Sequence, residues 1–254
     1  MYGPGELYKV LPYIMEYNNR VGVEVFPLFD DAGYKAELDS CLDELKRGAV
    51  TFHGPYYGAE HSAAKGTAEY DRTMDMVMTT LDYCRRLNAR YFVFHHNNCV
   101  VRPEKKREML ETSHENFLLI RRLYAEYGIP AVLENAGVKD RGNMLMDQQE
   151  FIEECRSLGC NVLIDIGHAH ANGWDLRKTI EALKNQIISY HIHNNDGQHD
   201  SHRRIFDGSL DFETFIADVK ELTPKASLVL EYSREVSNDE AGIRDDIDWL
   251  MANC

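Results

Sequence analysis

An α/β protein of the (β/α)8 barrel class is predicted by three features of the chain. Short apolar runs of strand character alternate with longer amphipathic stretches from residue 21 onward, which means a parallel sheet covered by helices. The 254 residues, 44% of them hydrophobic, suffice for one large domain spanning 1–254. Each strand-like run stays apolar until its C-terminal end, where an ionisable residue appears, and in such a barrel that end is the active-site face.

The elements follow in order. Residues 5–18 carry Leu7, Val10, Leu11 and Ile14 at helical spacing, and Asn18 and Asn19 stop the helix. Strands are expected at 21–26, 49–53, 90–95 and 131–134, each a short and largely apolar run. The helices between them are expected at 34–47, 67–87 and 103–127. The first long one presents Met74, Val77, Met78, Leu81 and Cys84 on one face. The second presents Phe117, Ile120, Leu123, Tyr124 and Tyr127, and Gly128 closes it. The alternation continues with strands at 161–165, 187–193 and 227–231 and helices at 148–158, 176–185, 211–222 and 239–252. That makes seven strands and eight helices. The opening strand of an eight-stranded barrel is missing or reduced to residues 1–3. No linker or low-complexity segment marks a second domain.

Composition narrows the function. Cysteines 41, 84, 99, 155, 160 and 254 are scattered without a Cys-x-x-Cys pair, so neither a thiolate zinc site nor a disulfide framework is indicated. Idle thiols fit a reducing cytoplasm. The N-terminus has no basic flank or apolar run of a signal peptide, and no apolar stretch is long enough to span a bilayer. A cytoplasmic protein is the expectation. The formal charge of −14 disfavours nucleic acid and anionic membranes as partners.

The ionisable strand ends are Glu24, His53, His95, Glu134, Asp165, His193 and Glu231. Carboxylates and imidazoles gathered at one rim repel or desolvate one another unless a cation offsets them, so a metal centre is the economical explanation. The densest stretch is 189–202, with four histidines and two aspartates. Ser189, His191 and His193 share one strand face, and His199, Asp200 and His202 follow in a loop. His191 sits one layer deeper than His193, which suits a supporting role better than ligation. In Asp165-Ile-Gly-His168 the aspartate ends a strand and the histidine follows in the loop, with Gly167 permitting the tight exit. Glu24 could orient a ligand or a substrate hydroxyl, and Tyr56 and Trp174 could line a pocket or pack in the core.

These motifs, with His53-Gly-Pro-Tyr56, Phe94-His95, Leu133-Glu-Asn135, His193-Asn-Asn-Asp196, Asp200-Ser-His202 and Leu230-Glu231, resemble the xylose-isomerase-like barrel superfamily. It includes sugar isomerases and epimerases and the endonuclease IV repair enzymes, and the match runs from about residue 21 to 235. Similarity to its D-tagatose 3-epimerase branch implies one divalent ion on Glu134, Asp165, His193 and Glu231, with Glu134 and Glu231 as acid and base. The same resemblance implies His168 and Asp140 as substrate contacts. His199 stands where that branch keeps a substrate-binding arginine, and Arg203 or Arg204 would take its place. Similarity to endonuclease IV instead implies a multinuclear zinc site that adds His53, His95, His168, Asp200 and His202.

Three functions follow. The preferred one is isomerisation or epimerisation of a small sugar or sugar phosphate by proton transfer next to a carbonyl, through an enediolate, with manganese, zinc, cobalt or magnesium. The second is zinc-assisted phosphoester hydrolysis. The third is a non-catalytic barrel serving as a subunit or sugar-binding module. Substrate identity, metal identity and self-association into a homo-oligomer stay open.

Overall fold

The computed structural model of the protein describes residues 2–254. They form two compact units, 2–132 and 133–254, each built on the repeat of strand and helix expected above.

In the first unit α1 (Leu11–Glu16) precedes β1 (Val23–Val25), α2 (Tyr34–Ser40) and α3 (Leu42–Leu45) precede β2 (Val50–Phe52), and α4 (Ala68–Leu87) precedes β3 (Phe92–Phe94). Helix α5 (Lys106–Ala125) then leads to β4 (Ala131–Glu134), in which the unit ends. β1 and β2 run parallel in the register Val23 to Val50 and Val25 to Phe52, and β2 pairs with β3 through Phe52 and Phe92. Every residue of β2, β3 and β4 is buried, as strands covered on both faces should be.

The second unit contains α6 (Gln148–Leu158), β5 (Asn161–Asp165), α7 (Ile166–Ala171), α8 (Leu176–Leu183), β6 (Ile187–Ile192), α9 (Phe212–Leu222), β7 (Ser227–Leu230) and α10 (Glu240–Asn253). Its register sets the height of the site residues. Asp165 of β5 lies level with His191 of β6, and Ile192 of β6 pairs with Leu230 of β7. Within each unit strand order is chain order and all pairings between strands are parallel. The fold is that of a (β/α)8 TIM barrel with seven strands among the described residues. No strand precedes β1 there: Tyr2 and Gly3 are irregular, and Met1 lies outside the described residues. Among the described residues, no helix is long and apolar enough to cross a membrane.

Local chemistry sets the helix limits. Thr67 and Asp211, expected as first helical residues, are N-caps whose side chains accept from Tyr70 N and Thr214 N. Asp147 builds a reciprocal capping box with Glu150 at the start of α6. Two expected core positions face solvent instead: Met78 is 45% and Tyr127 49% exposed. In α4 the buried face runs through Tyr70, Thr73, Met76, Val77, Thr80, Leu81 and Cys84, so Met76, not Met78, is the packing methionine. The expected loop after Asp165 is a helical turn, α7, and it carries His168.

Replacing Asp147 with Ala removes acceptors for two backbone N–H groups. A loss of about 1 kcal/mol in chemical denaturation is expected, and an unchanged midpoint would show that α6 does not depend on its cap.

Candidate metal centre

The strand ends of the second unit, with α7 and the loop after β6, gather four carboxylates and four imidazoles: Glu134, Asp165, Asp200 and Glu231 with His168, His191, His193 and His202. Most are buried, Asp165, His191 and His193 completely. His193 presents Nε2 to both oxygens of Asp165, at 3.0 and 3.1 Å. Nδ1 of His191 lies 3.1 Å from Glu231 Oε2, 3.6 Å from Glu134 Oε1 and 3.9 Å from Asp165 Oδ2. His168 has Nδ1 3.5 Å from Glu134 Oε1 and Nε2 3.5 Å from Asp200 Oδ2. His202 stacks on His193 with ring centroids 3.8 Å apart and points Nε2 at Asp200, 3.1 Å away.

Surrounding groups fix these rings and carboxylates. Asn135 clamps the end of β5: its Oδ1 accepts from Asp165 N at 2.7 Å and its Nδ2 donates to Asp165 O at 2.9 Å. Asp165 caps α7 by accepting from His168 N at 2.6 Å, so the turn that presents His168 is tied to the carboxylate it faces. Gly167 has a different role from the expected one. A Cβ there would lie 1.9 Å from the His193 ring, so the residue is small to let that imidazole pass. His202 has φ 45°, a left-handed backbone that costs roughly 1 kcal/mol or more for a residue with a side chain. It is held there by Nδ1–H donating to Glu231 O at 2.8 Å and by Ser233 N donating to His202 O at 2.9 Å. The Nδ1 bond leaves Nε2 facing the cluster.

Electrostatics bind the groups into one unit. Burial pulls His168 down, yet Asp165 and Asp200 prevail and hold it well above the ordinary histidine value. Burial likewise opposes the charge on His202, but Asp200 and Glu231 raise it from 6.5 to about 9. Burial pushes the Asp200 and Glu231 carboxyls up, and the facing imidazoles outweigh it and hold both well below the usual carboxylate range. Without a metal, protons on imidazoles therefore balance the carboxylates. His168 Nδ1, His193 Nδ1, Asp200 Oδ1 and Glu231 Oε2 are buried and lack a hydrogen bond of acceptable geometry. Buried polar atoms without hydrogen bonds are costly, and a nitrogen- and oxygen-binding divalent cation fits this donor set.

Ligand atoms of three groups lie within 4.8 Å of one another in this unit: Asp165, His193 and Glu231; Glu134, Asp165 and His191; and His168, His193, Asp200 and His202. Of the expected quartet, Asp165, His193 and Glu231 fall in one group, while Glu134 shares a different group with Asp165. His191, read from its depth as a supporting residue, takes a place among the donors. Other expected residues lie outside these three groups. His199 is exposed and pairs with Asp196 at 2.8 Å, Asp140 and Arg203 are exposed, and Arg204 is held by Asp246 at 2.8 and 2.9 Å. Trp174 packs on Phe151. In the first unit His53 and His95 are buried edge to face at 4.7 Å, Tyr56 lies 5.9 Å from His95, and Glu24 accepts from Thr51 Oγ1 at 2.9 Å. Arg141, which no sequence motif singles out, reaches Asp200 with Nη1 3.1 Å from Oδ2.

A family model described as xylose isomerase-like TIM barrel matches residues 15–253. An uncharacterized protein of Methanocaldococcus jannaschii is 26% identical over 153 residues, 59% of this chain and 58% of that protein, so the match spans little more than half of its length. Among solved structures, a D-tagatose 3-epimerase-like protein aligns with TM-score 0.72 at 18% identity, covering 90% of this chain and 89% of the other. A protein from Thermus thermophilus, soaked with zinc chloride, aligns with TM-score 0.72 at 19% identity over 96% and 95% of the two chains.

The shifted histidines yield a signed expectation. His202 is protonated more strongly folded than unfolded, so its contribution to the stability of the metal-free protein is full below pH 6.5 and lost as pH rises through about 9. The melting temperature of chelated protein should fall across that window, and zinc or manganese binding there should release protons, seen as heats that depend on the buffer's ionisation enthalpy. Heats that ignore the buffer would contradict protonated imidazoles at the site. Gly167→Ala should displace the His193 ring and weaken metal affinity by about 10- to 100-fold, measured by competition with a chelating dye.

Proposed function

The chain belongs to the xylose isomerase-like TIM barrel family, and from that premise we propose that it is a divalent-metal-dependent isomerase or epimerase of a small sugar or sugar phosphate. One observation carries this reading: a single buried nitrogen, His191 Nδ1, lies within 3.6 Å of both Glu134 and Glu231. Two carboxylates at one imidazole are the parts needed to take a proton from a carbon and to return one. The fold shared with a D-tagatose 3-epimerase-like protein supports the same chemistry.

In this reading Glu134, Asp165, His193 and Glu231 would hold the ion, with His191 facing both glutamates. When bound, the ion supplies Lewis acidity toward a carbonyl and its neighbouring hydroxyl. One glutamate removes the proton on the carbon next to the substrate carbonyl, giving an enediolate. The other delivers a proton to that carbon or its neighbour, inverting the centre or moving the carbonyl. His168, whose proton is held by Asp165 and Asp200, donates to a substrate hydroxyl or to the developing oxyanion.

A second reading has its own observation. His168, His193, Asp200 and His202 form a further donor group in the same unit, as a multinuclear zinc phosphoesterase would need. Metal analysis of the purified protein separates the two. One manganese, cobalt or magnesium per chain is expected for the isomerase, and two or more zinc ions for the hydrolase.

Activity on a panel of ketoses and ketose phosphates tests the preferred reading directly. Glu134→Gln and Glu231→Gln should each lower turnover by about 100-fold or more, compared at equal amounts of folded protein. If both variants keep parental rates on a substrate the parent converts, the two glutamates are not the acid and base.

A further inference from the structure

We infer that Arg141, with Arg203 beside the same loop, forms an anion subsite at the mouth of the metal centre, so that the substrate is a polyol bearing a terminal phosphate ester or carboxylate and not a neutral sugar. The inference rests on the isomerase reading above and narrows its substrate class.

Arg141 is held in place by its loop. Gly137 takes φ +85°, and a Cβ there would lie 2.4 Å from Asn143 O, so the chain folds tightly on itself at that point. Asn143 Oδ1 accepts from Val138 N at 2.9 Å, and Asn172 accepts from Lys139 N and donates to Gly137 O, both at 2.9 Å. Lys139 is committed as well, its ammonium donating to Asn172 O at 2.8 Å. The guanidinium that emerges is tethered at one edge only, with Nη1 3.1 Å from Asp200 Oδ2 and Nη2 2.9 Å from Asp200 O. Its side chain is 51% exposed while that of Asp200 is 2% exposed. A guanidinium has five N–H donors, and the contacts to Asp200 engage only one on each of Nη1 and Nη2.

Neutralising Asp200 does not account for this arginine, because His168 and His202 already face that carboxylate. A cation fixed in advance, with a fork of donors toward solvent, matches the two-oxygen edge of a phosphate or carboxylate at little ordering cost. A neutral polyol would gain little from it. Arg203 makes no ion pair among the described residues and is exposed, whereas its neighbour Arg204 is spent on Asp246 and Asp239. Arg203 directly follows His202 in the loop that carries Asp200, the same loop that Arg141 reaches. On a chain of net charge −14 an anionic substrate is repelled at long range, so local cations are what its capture requires.

Calorimetric titration of the chelated protein with D-fructose, D-fructose 6-phosphate and D-fructuronate tests this without turnover or metal. At least one anionic ketose should bind about tenfold or more tightly than fructose, and which one does identifies the anion. Arg141→Met should erase that preference, Arg141→Lys should retain part of it, and Arg203→Met should weaken it with no change in melting temperature. Equal binding of all three compounds at any level, including none, overturns the subsite, as does a preference that survives Arg141→Met and Arg203→Met. Loss of the isomerase reading would appear separately, as unaltered turnover in the Glu134 and Glu231 variants.

Discussion

The contact between His193 and Asp165 is the constraint on which the second unit depends. An imidazole and a carboxylate, both without solvent exposure, face each other at 3.0 Å where β5 and β6 end. Neither could stay there alone, since burying an unpaired charge costs several kcal/mol. Each further group is then drawn in by the charge of the last. Asp165 raises His168, His168 and His202 hold Asp200 ionised, and His191 does the same for Glu231. The result is a closed balance of protons and negative charge in which removing one member leaves its neighbours uncompensated. A divalent cation would replace the protons without altering that logic.

Holding such a cluster requires stiff surroundings, and the chain supplies them through polar side chains that spend themselves on backbone. Asn135 occupies both the N–H and the carbonyl of Asp165. Asn194 ties together the loop that carries Asp200 and His202, donating to Ile205 O at 2.7 Å and accepting from Leu210 N at 3.0 Å. Arg204 grips Asp246 of α10 in bidentate fashion, and Tyr232, just past β7, donates to the same carboxylate at 2.8 Å. The strained backbone of His202 persists because these anchors lie on both sides of it. Here the polar residues outside the cluster matter as much as those in it.

Much of this is legible in the sequence, for identifiable reasons. Elements bounded by strong local chemistry fall where expected: β4 and β5 are uninterrupted apolar runs ending in an acid, and α6 begins at a capping box and ends at Gly159 in the left-handed region. Periodicity fails where more than one apolar stripe is available, so it places Met78 inside although Met76 packs there. Helix α7 is hidden because six residues with a glycine and two histidines carry no amphipathic signal. The cap that starts it is Asp165, a residue whose chemistry draws attention away from its backbone role. The strand-end donors are readable because an ionisable residue closing an apolar run is unusual. Arg141 is not, because nothing in a turn of mixed charges tells which side chain reaches a buried aspartate 59 residues further along the chain.

His191 brings together two acids that the chain keeps almost a hundred residues apart. It sits one layer below His193 and level with Asp165. That depth is what lets one ring nitrogen reach the carboxylates at the ends of β4 and just past β7 together. Two acids that share one imidazole cannot titrate independently: a proton taken up by either changes the field felt by the other through the common partner. Glu231 is held ionised by His191 against both burial and the charge of Glu134. With Glu231 held ionised and Glu134 within reach of the same imidazole, such a pair would have the asymmetry that the proposed proton transfer from one side of a carbon centre to the other demands.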